Sequence, residues 1–158
     1  MAKLNSAQVW KEIEKQIFAV IGMVTAHNEP RTAGVVYIVR HRQLFIASTK
    51  SAWKTRHLAT NPHISVTIPI AKQIPFIPIK IPPATITFSG VARVLEPADV
   101  ADETVRALFR GMEVTPETSA PFAIIEVTPE KDFVTYGVGV SLLTMRDPEE
   151  SRGRAPVA

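Results

Sequence analysis

The 158-residue chain contains no cysteine, which excludes disulfides, a thiolate nucleophile and any Cys-ligated metal site. Redox chemistry would therefore have to come from a bound cofactor, and a reducing cytoplasm is compatible with the composition. Also missing is a run long enough to span a bilayer: the apolar stretch 17–26 is too short, and Lys3, Lys11, Glu12, Glu14 and Lys15 precede it. The chain is thus expected to be soluble and cytoplasmic, with no membrane partner. No internal repeat or low-complexity block occurs. Charge of one sign is scarce as well, with a formal net charge of +3 and a pI near 9.4. That excess suits a phosphorylated small molecule as well as a nucleic acid.

What is present is the composition of a globular domain, 46% hydrophobic and 21% charged. The length accommodates one substantial core and not two. A single domain is expected over residues 1–146. The remainder, 147–158, is charged and rich in small residues, and is expected to be a mobile tail.

Periodicity orders the elements. Val9, Trp10, Ile13 and Ile17 share one helical face, so a short amphipathic helix is expected over 6–16 with Ser6 as its cap. The run 17–26 reads as a strand buried on both faces, and 32–39 and 43–48 complete a three-stranded meander through a turn at Arg40, His41 and Arg42. A helix over 51–60 stops where Asn61 precedes Pro62. Strands follow over 63–70 and 84–95, separated by a proline-rich segment, IPIAKQIPFIPIKIPP, that cannot donate a full hydrogen-bond ladder. An amphipathic helix from Pro97 to Gly111 places Val100, Thr104, Val105, Leu108 and Phe109 on one face. Two strands over 122–127 and 132–137, parted by Thr128, Pro129 and Glu130, end the series. The fold class is mainly β with short helices, a small barrel of six or seven strands.

Chemistry concentrates in the turn before the second helix. Ser48, Thr49, Lys50, Ser51 and Lys54 gather hydroxyls and cations around a helix N-terminus, whose first N–H groups have no partner inside the helix. Such a turn can hold an anion. Lys54 is best placed, because its ammonium and the free N–H groups can converge on one phosphate. Arg31, Lys50 and Arg56 read more simply as solvated cations, and a nucleic-acid surface built from Lys50, Lys54, Arg56 and Arg40 would lack an aromatic platform.

The strand, the STKSAWKTRHL turn and helix, and the NPHISVTI strand resemble the flavin-binding split barrel of the pyridoxamine 5'-phosphate oxidase-like superfamily. Pro30, the strand 35–39, Ser48, Thr49, Lys54, Leu58, Asn61 with Pro62, and 64–68 carry the resemblance. It implies a homodimeric split barrel holding FMN, or in some relatives a deazaflavin coenzyme, near the subunit interface. Lys54 matches the phosphate-binding lysine, and Ser48 and Thr49 match the positions near phosphate and ribityl groups. Lys50, Ser51 and Trp53 flank them. Gly34, Val35, Val36 and Tyr37 match the stretch along the isoalloxazine, where a glycine would admit the flat ring to the backbone. Two features set the chain apart from the namesake enzyme. Ala52 and Trp53 replace a serine and an arginine, and the C-terminal substrate-binding pattern is absent.

The resemblance implies a flavin-dependent oxidoreductase acting on a small molecule, with the ring orientation and substrate access set by the protein. The alternative is storage or sensing of the same cofactor without turnover. Ile74, Phe76 and Ile77 would either wall the substrate side or enter a dimer contact. His27, His41, His57 and His63 form no metal-ligand spacing. A few split-barrel relatives bind haem, for which His57 or His63 would be the axial candidates.

Overall fold

The computed structural model describes residues 2–158. In chain order the elements are β1 (Ala2–Lys3), α1 (Ser6–Lys15), β2 (Phe18–Val24), β3 (Pro30–Val36), β4 (Ile38–Arg40), β5 (Gln43–Thr49), α2 (Trp53–Thr60), β6 (His63–Ile70), β7 (Ala84–Leu95), α3 (Asp102–Leu108), α4 (Pro116–Ser119), β8 (Phe122–Tyr136), α5 (Pro148–Ser151) and β9 (Arg152–Pro156). They form one nine-stranded sheet in the order β1-β9-β8-β7-β6-β2-β3, with β5 pairing both β4 and β8. Every pairing is antiparallel except β1 with β9.

β8 organises the curl. Along one edge its first half pairs with β5 and its second half with β9, while β7 follows the other edge. Between Thr87 and Ser89 the β7–β8 register shifts, and Lys131 takes a left-handed φ of 64° there. Such a bulge bends a strand and raises its twist, so one long strand can serve two sets of neighbours. The expected break at Pro129 does not occur. Pro129 stays in the strand opposite Gly90, and a Cβ at Gly90 would lie 2.6 Å from the Thr128 carbonyl oxygen, so only glycine permits that approach.

The core fills the concave side. Val9, Trp10 and Ile13 of α1 are buried, and the Trp10 ring meets Phe133 edge-on at 5.4 Å. Each buried side chain contributes about 2 kcal/mol of apolar transfer. Asn5, and not Ser6, caps α1: its side chain accepts from Gln8 N–H while Gln8 Oε1 accepts from Asn5 N–H, both at 2.9 Å. A smaller cluster of Phe45, Val100, Val105, Phe109 and Ile124 fixes α3 outside β5 and β8. Of the five residues expected on one helical face, Val100, Val105 and Phe109 join this cluster, Leu108 packs against it half-buried and Thr104 is buried, although α3 is shorter than expected and begins after a separate 3-10 turn, Pro97–Asp99.

Two further expectations are corrected. The meander forms with an interruption: its expected second strand is split at Tyr37 into β3, which pairs with β2, and β4, which pairs with β5, and β5 goes on to pair with β8. The C-terminal segment expected to be mobile instead forms α5 and β9. Gly153 and Ala155 face inward between the exposed Arg152 and Arg154. Val157 O then accepts from Ser6 Oγ at 2.8 Å and from Trp10 Nε1 at 3.3 Å, tying the C-terminus to α1. Small residues suit this position because β9 packs close beneath the helix. The proline-rich segment is an exposed connection with one isolated bridge, Ile74 to Ile77, as its missing donors require.

Candidate functional site

The end of β5 and the start of α2 are joined by a tight turn in which Lys50 N–H bonds Pro121 O at 2.9 Å and Ala52 N–H bonds Thr49 O at 3.1 Å. α2 begins at Trp53, with Ala52 as N-cap and no side-chain cap. Alanine offers no acceptor, so the first-turn N–H groups keep their donor capacity. The hydroxyls nearby are used elsewhere: Thr55 Oγ1 lies 2.9 Å from both Ser48 Oγ and Thr49 O, and Ser48 and Thr55 are buried.

Beside this turn opens a cleft of ≈ 350 Å³. One wall is the chain from Gly34 through Val35, Val36 and Tyr37 to Ile38, the other is Ala107, Leu108 and Arg110, and Ala47 and Lys54 join them. A neighbouring space of ≈ 560 Å³ shares Tyr37, Ile38, Ala107 and Arg110 and adds Arg40 and Glu14. Lys54 is half-buried, and neither it nor Arg110 makes an ion pair among the described residues. The cleft therefore joins an exposed strand backbone to uncompensated positive charge.

Five of the ten sequence-derived residues, Gly34, Val35, Val36, Tyr37 and Lys54, meet in this cleft. The other five surround it without lining it. Ser48 points into the interior, and Thr49 and Ser51 are exposed. Lys50 pairs with Glu96 at 2.6 Å. Trp53 is 36% exposed with its ring 5.9 Å from that of His57.

Two roles change. Tyr37 is 1% exposed and donates its hydroxyl to Ile13 O at 2.7 Å, so its side chain belongs to the core under α1. Burial pushes its phenol pKa well above the ordinary value. At Gly34 a Cβ would lie 2.9 Å from the Phe18 ring, so the missing side chain makes room for Phe18. Arg110, Ala107 and Leu108 were not anticipated. Arg110 appears in the sequence only as one cation on the polar face of a helix, and nothing local marks it as facing β4. His57 and His63 do not line the cleft, and the described residues contain no group of three or more His, Cys, Asp or Glu that could hold a metal.

The sequence profile described as pyridoxamine 5'-phosphate oxidase matches residues 6–135. The chain belongs to the pyridoxamine 5'-phosphate oxidase family. No curated protein matches the sequence. Solved structures of the same fold include a heme binding protein from Mycobacterium smegmatis, 16% identical with a TM-score of 0.65, over 99% of this chain and 60% of that one. A heme storage protein from Vibrio cholerae is 15% identical with a TM-score of 0.59, over 85% and 96% of the two chains. An F420 reductase is 15% identical with a TM-score of 0.55, over 82% and 95%. These likenesses establish the curled split-barrel fold of the family. Among the described residues, no helix is long and apolar enough to cross a membrane.

Proposed function

We propose that the cleft holds FMN and that the protein is a flavin-dependent oxidoreductase acting on a small molecule. One observation carries the reading: Lys54, half-buried and unpaired on the uncapped first turn of α2, opens onto the same cleft as the backbone of Gly34, Val35 and Val36. The residues fit the group. An ammonium with free N–H groups beside it suits a phosphate, and a strand backbone facing ≈ 350 Å³ of open space suits a flat ring. A bound flavin supplies two-electron chemistry at its ring. Lys54 and the α2 N–H groups would fix the phosphate end, and Gly34, Val36 and Ile38 would orient the ring. Arg110 and Arg40 would favour an anionic group of the substrate or cofactor next to it. A deazaflavin presents the same phosphate and tricyclic ring and is the second cofactor to test. Haem receives less support, since no histidine among the described residues lines the cleft.

The reading includes a homodimer. Ile17, Phe18 and Val36 are 55%, 44% and 59% exposed on β2, β3 and the chain leading into them, beside the cleft. Covering that apolar surface with a second copy would also close the cleft from water.

The test is titration of the purified protein with FMN and with deazaflavin, followed by visible absorption. Micromolar binding of either supports the reading, and a colourless protein that binds neither removes it. Steady-state oxidation of a reduced nicotinamide or deazaflavin in the presence of an acceptor then separates an oxidoreductase from a storage protein, which would stay inert.

A further inference from the structure

The proline-rich connection between β6 and β7 packs beside the chain that follows β8, and the two share an unusual character. From Ile70 to Ala84 the sequence has Lys72 and Lys80 but no carboxylate, and from Gly137 onward it has Arg146, followed by Asp147, which caps α5, and Glu149, which pairs with Arg152 at 3.1 Å. Together they wall a groove of ≈ 370 Å³, in which Ile74, Ile79, Leu142 and Leu143 supply the apolar lining and Lys80 and Arg146 the charge. None of the three cations makes an ion pair among the described residues.

Large apolar side chains of the same two segments stand in water. Phe76 is 104% exposed, Leu143 74%, Ile79 63% and Ile77 48%. Phe76 also occupies a turn closed by Ile77 N–H on Ile74 O at 3.3 Å, with Pro75 before it and a left-handed φ of 65°. Glycine or asparagine is the favoured residue at such a position. A phenylalanine there bears conformational strain and leaves its ring in solvent, two costs to the isolated chain. The prolines hold this tip in shape, so little ordering entropy is lost when it meets a surface.

The patch is separate from the cleft described above. Following the register from Gly34 through Val20, Thr67 and Thr87 to Val134, the path from β3 to β8 crosses four strand spacings, roughly 19 Å along the sheet, and the groove lies beyond it beside Tyr136.

We propose that this patch seats on an anionic lipid bilayer surface, with Phe76, Ile77, Ile79 and Leu143 entering the boundary between headgroups and acyl chains and Lys72, Lys80 and Arg146 resting on the phosphates. Protruding apolar residues beside cations that make no ion pair are the pattern of interfacial attachment. A second copy fits less well, because the proline-rich tip facing itself across a two-fold axis would oppose Lys72 and Lys80 with no carboxylate in that segment. The sequence-based expectation of no membrane partner rested on the absence of a spanning run, and surface attachment needs none.

Co-sedimentation of the full chain with vesicles of phosphatidylcholine, with and without phosphatidylglycerol, tests the proposal independently of any flavin. Binding is expected only to the anionic vesicles and should weaken with salt. Lys80→Glu with Arg146→Glu should reduce it by at least about 25-fold, taking roughly fivefold per cation. Phe76→Ser with Leu143→Ser should abolish stable sedimentation while leaving the thermal melt unchanged, since both residues are exposed. Phe76→Trp should give a blue-shifted emission component on adding anionic vesicles. Absence of sedimentation, or sedimentation indifferent to both double variants, overturns the proposal. So does a dimer that dissociates in Phe76→Ser with Leu143→Ser, which would make the patch a protein contact.

Discussion

Replacing Lys54 with methionine keeps most of the side-chain volume and removes only the ammonium. In the proposed site that ammonium makes a charge-assisted contact with a phosphate, worth about 1.5–3 kcal/mol. Lys54 is half-buried, so solvent screens part of this and the lower end, about 1.5–2 kcal/mol, is expected. At 1.4 kcal/mol per tenfold, FMN affinity should fall roughly 10- to 30-fold. Two controls make the result interpretable. Riboflavin lacks the phosphate, so its affinity should be the same for the wild type and Lys54→Met. Lys50→Met removes an ammonium already engaged with Glu96 at an exposed position, and should change FMN affinity less than about threefold. Quenching of flavin fluorescence on titration measures all three. Because Lys54 makes no ion pair among the described residues, the melting temperature of the cofactor-free protein should not fall. An FMN affinity unchanged by Lys54→Met, or an equal loss for riboflavin, would refute the phosphate assignment.

Tyr37→Phe removes a hydrogen bond to Ile13 O, but that carbonyl keeps Gln16 N–H as a donor, so the cost is held to about 1 kcal/mol in a urea denaturation series. The same residue sets an alkaline limit. Its folded pKa is raised above the unfolded value of 10.0, so its contribution is complete below pH 10.0 and is lost as pH rises toward the folded value. The wild type should lose stability above that pH with a steeper slope than Tyr37→Phe, and parallel slopes would contradict the burial argument. Truncation after Ser151 deletes β9, bares the edge of β8, and removes the acceptor for Ser6 and Trp10. At ~1 kcal/mol for each of those two bonds, with the lost strand pairing in addition, the urea midpoint should drop clearly. An unshifted midpoint would show that β9 contributes little.

The parts legible in the sequence were those whose signal is local. Hydrophobic period placed α1, β2, β6, β7 and the buried face of α3 near their positions, because side chains at those spacings must share a face. The order of turn, lysine, Asn61 and Pro62 located the start and end of α2. Three things were not legible. The pairing of β5 with β8 joins residues about eighty positions apart and leaves no periodic trace. β9 has only small residues facing inward, so its sequence resembles a solvated tail until Val157 O is seen to receive Ser6 and Trp10. Arg110 reaches the cleft only because the packing of Val105 and Phe109 on Phe45 and Ile124 fixes how α3 lies against β5.

The N-terminus of α2 carries two features that disfavour the cofactor-free protein and make sense together with an anion. Ala52 stands at the N-cap, where an acceptor side chain would contribute about 1 kcal/mol. Lys54 places a cation at the positive end of the helix dipole, which is unfavourable by about 0.3–1 kcal/mol. Bound phosphate would answer both, accepting from the uncapped N–H groups and neutralising the ammonium. Ala52→Asp supplies a built-in anion at the same place. It should raise the melting temperature of the cofactor-free protein by completing the cap and pairing with the local positive charge, while weakening FMN binding by competing for the same donors and repelling the phosphate. A purely structural turn predicts the first effect without the second. Calorimetry on the free protein and flavin titration on the same preparation therefore decide between them, and a variant that gains stability at undiminished FMN affinity would place the phosphate elsewhere.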